Sequence, residues 1–186
     1  MSKKAILITS LIFLAMLTRL IPHWPNFTAL GAVALFAGAQ YRNSWWAYLM
    51  PLIALFASDL LLNNLIYAEY QQGFSWFTEG FLYIYLGVIF SVLIGQLNLR
   101  KKSAMRIAGS GLLSSVVFFI ITNFGVWQGG FMYPMNAGGL LMAYEAGLPF
   151  LVYQVAGTLF YSAILFGLAW YLLPQHKYRL QGIKVD

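Results

Sequence analysis

The chain contains no cysteine. That absence excludes disulfides, thiolate catalysis, Cys-ligated zinc, iron–sulfur clusters and c-type haem. Charge is nearly as scarce: Asp, Glu, Lys and Arg make up 9% of the 186 residues, against about 25% in ordinary soluble domains. A soluble chain so poor in charge could not keep its surface wetted, so a soluble enzyme, a disordered segment and a nucleic-acid-binding domain are excluded. There are two histidines, too few for a His-rich metal transporter. No Lys lies inside an apolar run, which excludes a retinal Schiff base. Neither His-Glu-x-x-His nor Gly-x-Ser-x-Gly occurs, so nothing supports an intramembrane metalloprotease or serine hydrolase. No phosphate-binding Gly-x-x-x-x-Gly-Lys-Ser/Thr sequence occurs either, so the chain cannot energise transport with ATP by itself. A proton relay needs a series of acids, and one carboxylate at depth does not make one. No enzyme is expected.

Hydrophobic residues supply 61% of the chain, and they come in long continuous runs. A helical crossing takes about 20 apolar residues. The runs at 5–21, 27–40, 45–66, 79–97, 104–123 and 148–173 are each read as one crossing. Continuous rather than alternating hydrophobicity excludes a transmembrane β-barrel. The first run follows Lys3 and Lys4 as a signal peptide would. No small-residue cleavage site follows it, and Arg19 interrupts its far end, so a retained helix is expected. The second run is short and rich in Ala and Gly, as suits close packing in a bundle. The segment 138–147 is apolar but too short to cross, and is expected to lie across the mouth of the bundle. The expected fold is an all-α polytopic membrane protein, a single domain of six transmembrane helices.

The basic residues sort by loop. Six alternating crossings put Lys3, Lys4, Arg42, Arg100, Lys101, Lys102, Lys177, Arg179 and Lys184 on one side, with Arg106 just inside it. The segments 22–26, 67–78 and 124–147 on the other side carry no Lys or Arg, only Glu69 and Glu145, with Glu79 at a helix edge. Such asymmetry places both termini in the cytoplasm. The net charge of +6 then reports sidedness rather than a polyanionic partner. The expected location is the bacterial cytoplasmic (inner) membrane, and the lipid bilayer is the first partner. Two of the outer connections, 67–78 and 124–147, read as long loops rich in aromatics and glycine. Trp24, Tyr70, Trp76, Phe77, Trp127 and Tyr133 read either as an interfacial aromatic belt or as part of a ligand-binding face.

Two charges remain at membrane depth. Arg19 lies roughly 22 Å along its helix from Lys4, and Asp59 roughly 20 Å from Trp46, at about 1.5 Å per residue. Both helices run outward, so the two residues reach similar heights. An isolated charge there costs about 2.5–3.5 kcal/mol even on the lenient insertion scale. Arg19 and Asp59 are therefore expected to pair or to share a polar cavity, either as a clamp between two helices or as a ligand-facing pair. His23 lies in Pro22-His23-Trp24-Pro25-Asn26, either as an exposed turn residue or with its ring in the same pocket, where neutral imidazole hydrogen-bonds or ligates a metal. His176, on the cytoplasmic side, is too far away for a bis-histidine haem. Asn63, Asn64, Tyr83, Tyr85, Asn123, Trp127, Tyr153 and Gln154 recur at one level on several helices. Each alone reads as an interhelical hydrogen-bond residue; together they mark the outer half as the place for a ligand.

The stretch Arg19-Leu20-Ile21-Pro22-His23-Trp24-Pro25-Asn26-Phe27-Thr28, then Ala34-Leu35-Phe36-Ala37-Gly38, Pro51, Ser58-Asp59-Leu60 and Thr122-Asn123-Phe124-Gly125-Val126-Trp127 resemble a family of small bacterial six-helix membrane proteins. That family in turn resembles the substrate-binding S components of energy-coupling-factor vitamin transporters, nearest to the solitary cobalamin-transport S component of the BtuM type. The resemblance covers about residues 10–170. It implies a six-helix bundle with an outward pocket for a vitamin-like small molecule, cobalamin or another corrinoid among them, and energising transporter subunits as partners. By position it implies His23 and Asp59 as pocket residues, with Asn26 and Tyr83 beside them. The cobalamin type places a cysteine thiolate on cobalt. With no cysteine here, the resemblance implies either His23 as the cobalt ligand or a different ligand. The alternative is a non-transporting accessory or scaffold subunit of a membrane complex.

Overall fold

The structure is a computed structural model and describes residues 3–70 and 73–173. Lys177, Arg179, Lys184 and His176 lie outside the described residues. Those residues form six α-helices and no strand: α1 Lys3–Leu17, α2 Leu30–Gln40, α3 Trp46–Leu61, α4 Phe81–Asn98, α5 Ala104–Gln128 and α6 Ala137–Leu172. A short 3₁₀ turn, Thr18–Leu20, extends α1, and a π-helical turn, Leu62–Ile66, extends α3. Helix starts follow local chemistry. The Ser103 hydroxyl accepts the Arg106 N–H at the head of α5, and the Asn136 side chain accepts the Gly139 N–H at the head of α6 at 2.9 Å; both are side-chain caps on otherwise orphaned donors.

Four helices are long and apolar enough to cross a membrane: α3 with its π turn, α4, α5 and α6. Their outer faces are apolar. Leu82, Leu86, Phe90, Leu93 and Leu97 stand exposed along α4. Small polar side chains face inward instead. Ser91, Ser110, Ser114, Ser115, Thr158 and Ser162 are all buried. Ser114 donates to Ser91 at 2.8 Å, and the Ser91 hydroxyl donates in turn to the Gly87 carbonyl. Apolar outside and hydroxylic inside is the arrangement of a membrane protein. Replacing Ser114 with alanine is expected to cost about 0.6 kcal/mol, since Ser91 keeps its backbone acceptor; denaturant unfolding in mixed micelles measures it.

Helix α2 is the axis of the bundle. It touches each of the other five helices, and its residues from Ala32 to Ala37 are fully buried. Its Ala- and Gly-rich sequence is what permits this. At Gly38 and Gly95 the backbones of α2 and α4 meet directly. A Cβ on Gly38 would strike the carbonyl oxygen of Val92, and one on Gly95 would strike that of Leu35.

The helices alternate in direction, so Lys3 and Leu172 lie at the same end. Cross-links at that basic end include Tyr41 Oη to Ala5 O at 3.0 Å, Tyr48 Oη to Gln96 Oε1 at 2.9 Å and Lys102 Nζ to Gln40 Oε1 at 2.9 Å. At the far end, Asn64 exchanges two hydrogen bonds with Ser75, each at 2.8 Å, and so ties the 67–80 connection to α3.

Two expectations are corrected. The segment 138–147 is not a separate helix across the mouth. It is the first part of α6, which runs for 36 residues straight through Pro149. Ala143 and Gly147 are small enough to let it lie on α5, where Tyr144 Oη reaches the Ile120 carbonyl at 3.0 Å. Helix α5 in turn continues past Asn123 to Gln128. The expected long loop over 124–147 therefore shrinks to residues 129–136.

Candidate functional site: a polar cavity above the central helix

Helix α2 has 11 residues, so it is only about 17 Å long, while its neighbours are far longer. Above its N-terminal end the surrounding helices enclose a cavity of about 440 Å³. Arg19, Asn26, Thr28 and Gly31 line it from the α1–α2 side, Phe118, Thr122 and Asn123 from α5, and Ala143, Gly147, Phe150, Gln154 and Thr158 from α6. The α6 residues recur every three or four positions and so form one face.

Arg19 anchors one wall. Its Nη1 donates to Asp59 Oδ1 at 2.7 Å and also to the Ser58 hydroxyl. The Ser58 hydroxyl donates onward to the Leu55 carbonyl at 2.8 Å. Asp59 is 2% exposed and the Arg19 side chain 16%. The expected pair is thus formed, and it joins the end of α1 to α3. Every protein hydrogen bond of the guanidinium, among the described residues, runs through Nη1. Nε and Nη2 are left for whatever enters the cavity.

Gln154 is 9% exposed, and its carboxamide makes no protein hydrogen bond among the described residues. Its polar atoms open onto the cavity rather than being sealed away. Asn123 spends its Nδ2 on the Phe119 carbonyl at 2.9 Å, which leaves its carbonyl oxygen as an acceptor beside Gly147. Asn26 lines the cavity from a left-handed backbone position, φ 61°, which asparagine tolerates better than most residues.

Of the residues singled out from sequence, Arg19, Asn26, Asn123, Tyr133 and Gln154 line this cavity. Five others stand elsewhere. Asp59 lies behind Arg19 as its counter-ion. His23 is exposed, its Nδ1 2.8 Å from the Trp24 carbonyl. Tyr83 covers Gly125 and meets Phe124 edge-on at 6.1 Å between centroids. Tyr153 stacks on Trp24 at 6.0 Å. The Trp127 indole donates to the Pro134 carbonyl at 3.0 Å, fastening the 129–136 connection. Sequence reasoning missed Thr28, Thr122 and Thr158. Thr158 had a signal in its four-residue spacing from Gln154 on α6, whereas Thr28 and Thr122 stand on other elements and had only their nearness in sequence to Asn26 and Asn123.

The profile of a family described as of unknown function, DUF6580, matches residues 1–181. The chain belongs to that family. No curated protein and no solved structure matches it. Among its described residues no three His, Asp or Glu side chains group as a metal site would need. The chemistry on offer is a guanidinium edge, three carboxamides, three threonines and apolar walls.

Proposed function

We propose that this protein is an S-component-like binder that takes a vitamin-like small molecule from the outer side of the bacterial cytoplasmic membrane. In this reading the chain crosses the bilayer six times with both termini cytoplasmic. The alternating helix directions and the basic residues gathered at one end support that topology. The observation that carries the functional reading is the cavity itself, onto which the Gln154 carboxamide opens with no protein hydrogen bond among the described residues, beside the free edge of Arg19. Accessible polar groups that converge on one hollow are free to hydrogen-bond a bound molecule without breaking a protein contact first.

The lining indicates what enters. Nε and Nη2 of Arg19 match a carboxylate or carbonyl. The positive dipole end of α2, at Gly31, favours the same partial negative charge. Phe118, Phe150 and Ile84 suit a flat apolar body. The volume of about 440 Å³ equals about 15 waters at about 30 Å³ each. That suits one or two rings with a polar substituent; a corrinoid enters only if the outer connections part to enlarge the space. Binding and release need no catalytic residue, and the energy for passage comes from partner subunits.

The test is thermal unfolding of the detergent-purified protein across a panel of vitamins and precursors carrying a carboxylate. One class is expected to raise Tm, since a ligand at about 100 times its Kd adds about 2.7 kcal/mol. Gln154→Leu is expected to keep the unliganded Tm within about 2 °C and to abolish the ligand-dependent rise. A panel without any shift, together with an unaltered Gln154→Leu protein, would leave the accessory-subunit reading in place.

A further inference from the structure

A second hollow lies at the other end of α2. Helices α5 and α6 touch where Leu159 covers Gly111 and where Ser115 donates to Thr158 at 3.3 Å. Toward the basic end the facing residues become small: Ala104 and Ala108 on α5, Ala163 and Gly167 on α6. A cleft of about 1000 Å³ opens between them. Its mouth holds Arg100 and Lys102 from the turn before α5 and Trp170 from the last turns of α6. Trp170 is 72% exposed, as a residue at headgroup level would be.

Among the described residues this mouth is cationic without an anion to match. The described carboxylates, Asp59, Glu69, Glu79 and Glu145, all sit toward the opposite end. Among the described residues Lys102 finds the neutral Gln40 side chain alone, at 2.9 Å. Burial, and after it the charge of Lys4, push its ammonium below the ordinary lysine value. Deeper in, Ser162 lines the cleft, is 1% exposed, and its hydroxyl has no partner among the described residues. The contact of Gly111 with Leu159 sets Ser162 level with Ala108. That is about 9 Å along α5 from Lys102 at 1.5 Å per residue.

We propose that this cleft holds one anionic phospholipid, its phosphate between Arg100 and Lys102, an ester carbonyl at Ser162 and its acyl chains on the alanine and glycine floor. Basic pockets between membrane helices on the cytoplasmic side favour such lipids. The leaflet assignment rests on the topology proposed above; the binding itself does not. The C-terminal segment 174–186 is a poorer occupant, because Lys177, Arg179 and Lys184 give it the same sign as the mouth.

Native mass spectrometry of the full chain in detergent, titrated with phosphatidylglycerol, phosphatidylcholine or inorganic phosphate, tests this. One phosphatidylglycerol is expected to be retained, with phosphatidylcholine at least tenfold weaker and phosphate unable to compete. Arg100→Gln and Lys102→Gln should each weaken retention about fivefold, while Lys101→Gln, outside the lining, should not. Ala163→Trp should fill the floor and release the lipid. Equal retention of both lipids, displacement by phosphate, indifference to Lys102→Gln, or binding only after deletion of 174–186 would each overturn the proposal. None of these readouts uses a vitamin, so failure here and failure of the outer-cavity reading are separable.

Discussion

Asp59→Ala is expected to destabilise the protein by about 3–5 kcal/mol, the cost of leaving one partner of a buried ion pair uncompensated. Asp59 is 2% exposed and its 2.7 Å bond to Arg19 is the salt bridge present among the described residues. With Asp59 gone, the guanidinium keeps only the Ser58 hydroxyl. Asp59→Asn should fall between, since the amide can still accept but carries no charge. The double replacement Arg19→Met with Asp59→Leu should recover most of the loss, because removing both charges removes the burial cost with them. Equilibrium unfolding in mixed micelles gives all four values. The same double variant separates the two roles that the pair combines. If Arg19 only clamps α1 to α3, a stable double variant still binds whatever fills the cavity. If its free edge receives the ligand, stability returns and binding does not.

The second large effect lies at the crossing of α2 and α4. Gly38→Ala is expected to cost about 3 kcal/mol, at the upper end of ordinary overpacking, and Gly38→Leu to prevent recovery of folded protein. The reason is what the new carbon meets. At Gly38 it meets the main-chain oxygen of Val92, which cannot rotate away as a side chain would. Gly95 faces Leu35 in the same manner, so the two helices are held apart by main chain on both sides. Gly109 is the control. Nothing lies within 4 Å of a Cβ there, and Gly109→Ala should stabilise α5 by about 0.5–1 kcal/mol through helix propensity. Yields of monodisperse protein and denaturant midpoints for the three variants test the contrast.

The sequence exposes some of this architecture and conceals the rest, for physical reasons. Charge is so rare in these helices that Arg19 and Asp59 had few alternatives to each other, and their meeting could be read from depth alone. The starts of α3, α4 and α5 fall within a few residues of where the apolar runs begin, because hydropathy and helix length are tied by the same geometry. The central place of α2 could not be read. Alanine and glycine say that neighbours come close, not how many neighbours there are. The continuity of α6 was hidden by Pro149, which ends helices in water but is tolerated where surrounding helices satisfy the freed carbonyl. With α6 cut in two, the row from Ala143 to Thr158 lost its common face, and most of the cavity wall went with it. Tyr83, Tyr153 and Trp127 looked like ligand contacts because aromatic and polar atoms sit together in them. The structure uses those atoms to cover Gly125, stack on Trp24 and hold Pro134.

The brevity of α2 carries a last consequence. A strut of about 17 Å cannot match a hydrocarbon layer of about 30 Å, yet it does not have to, because five helices screen it from lipid. Thinning or thickening the bilayer tilts the outer staves and leaves the strut alone. Ligand affinity measured in nanodiscs of short-chain and long-chain lipids should therefore stay level, even as the midpoint of unfolding moves.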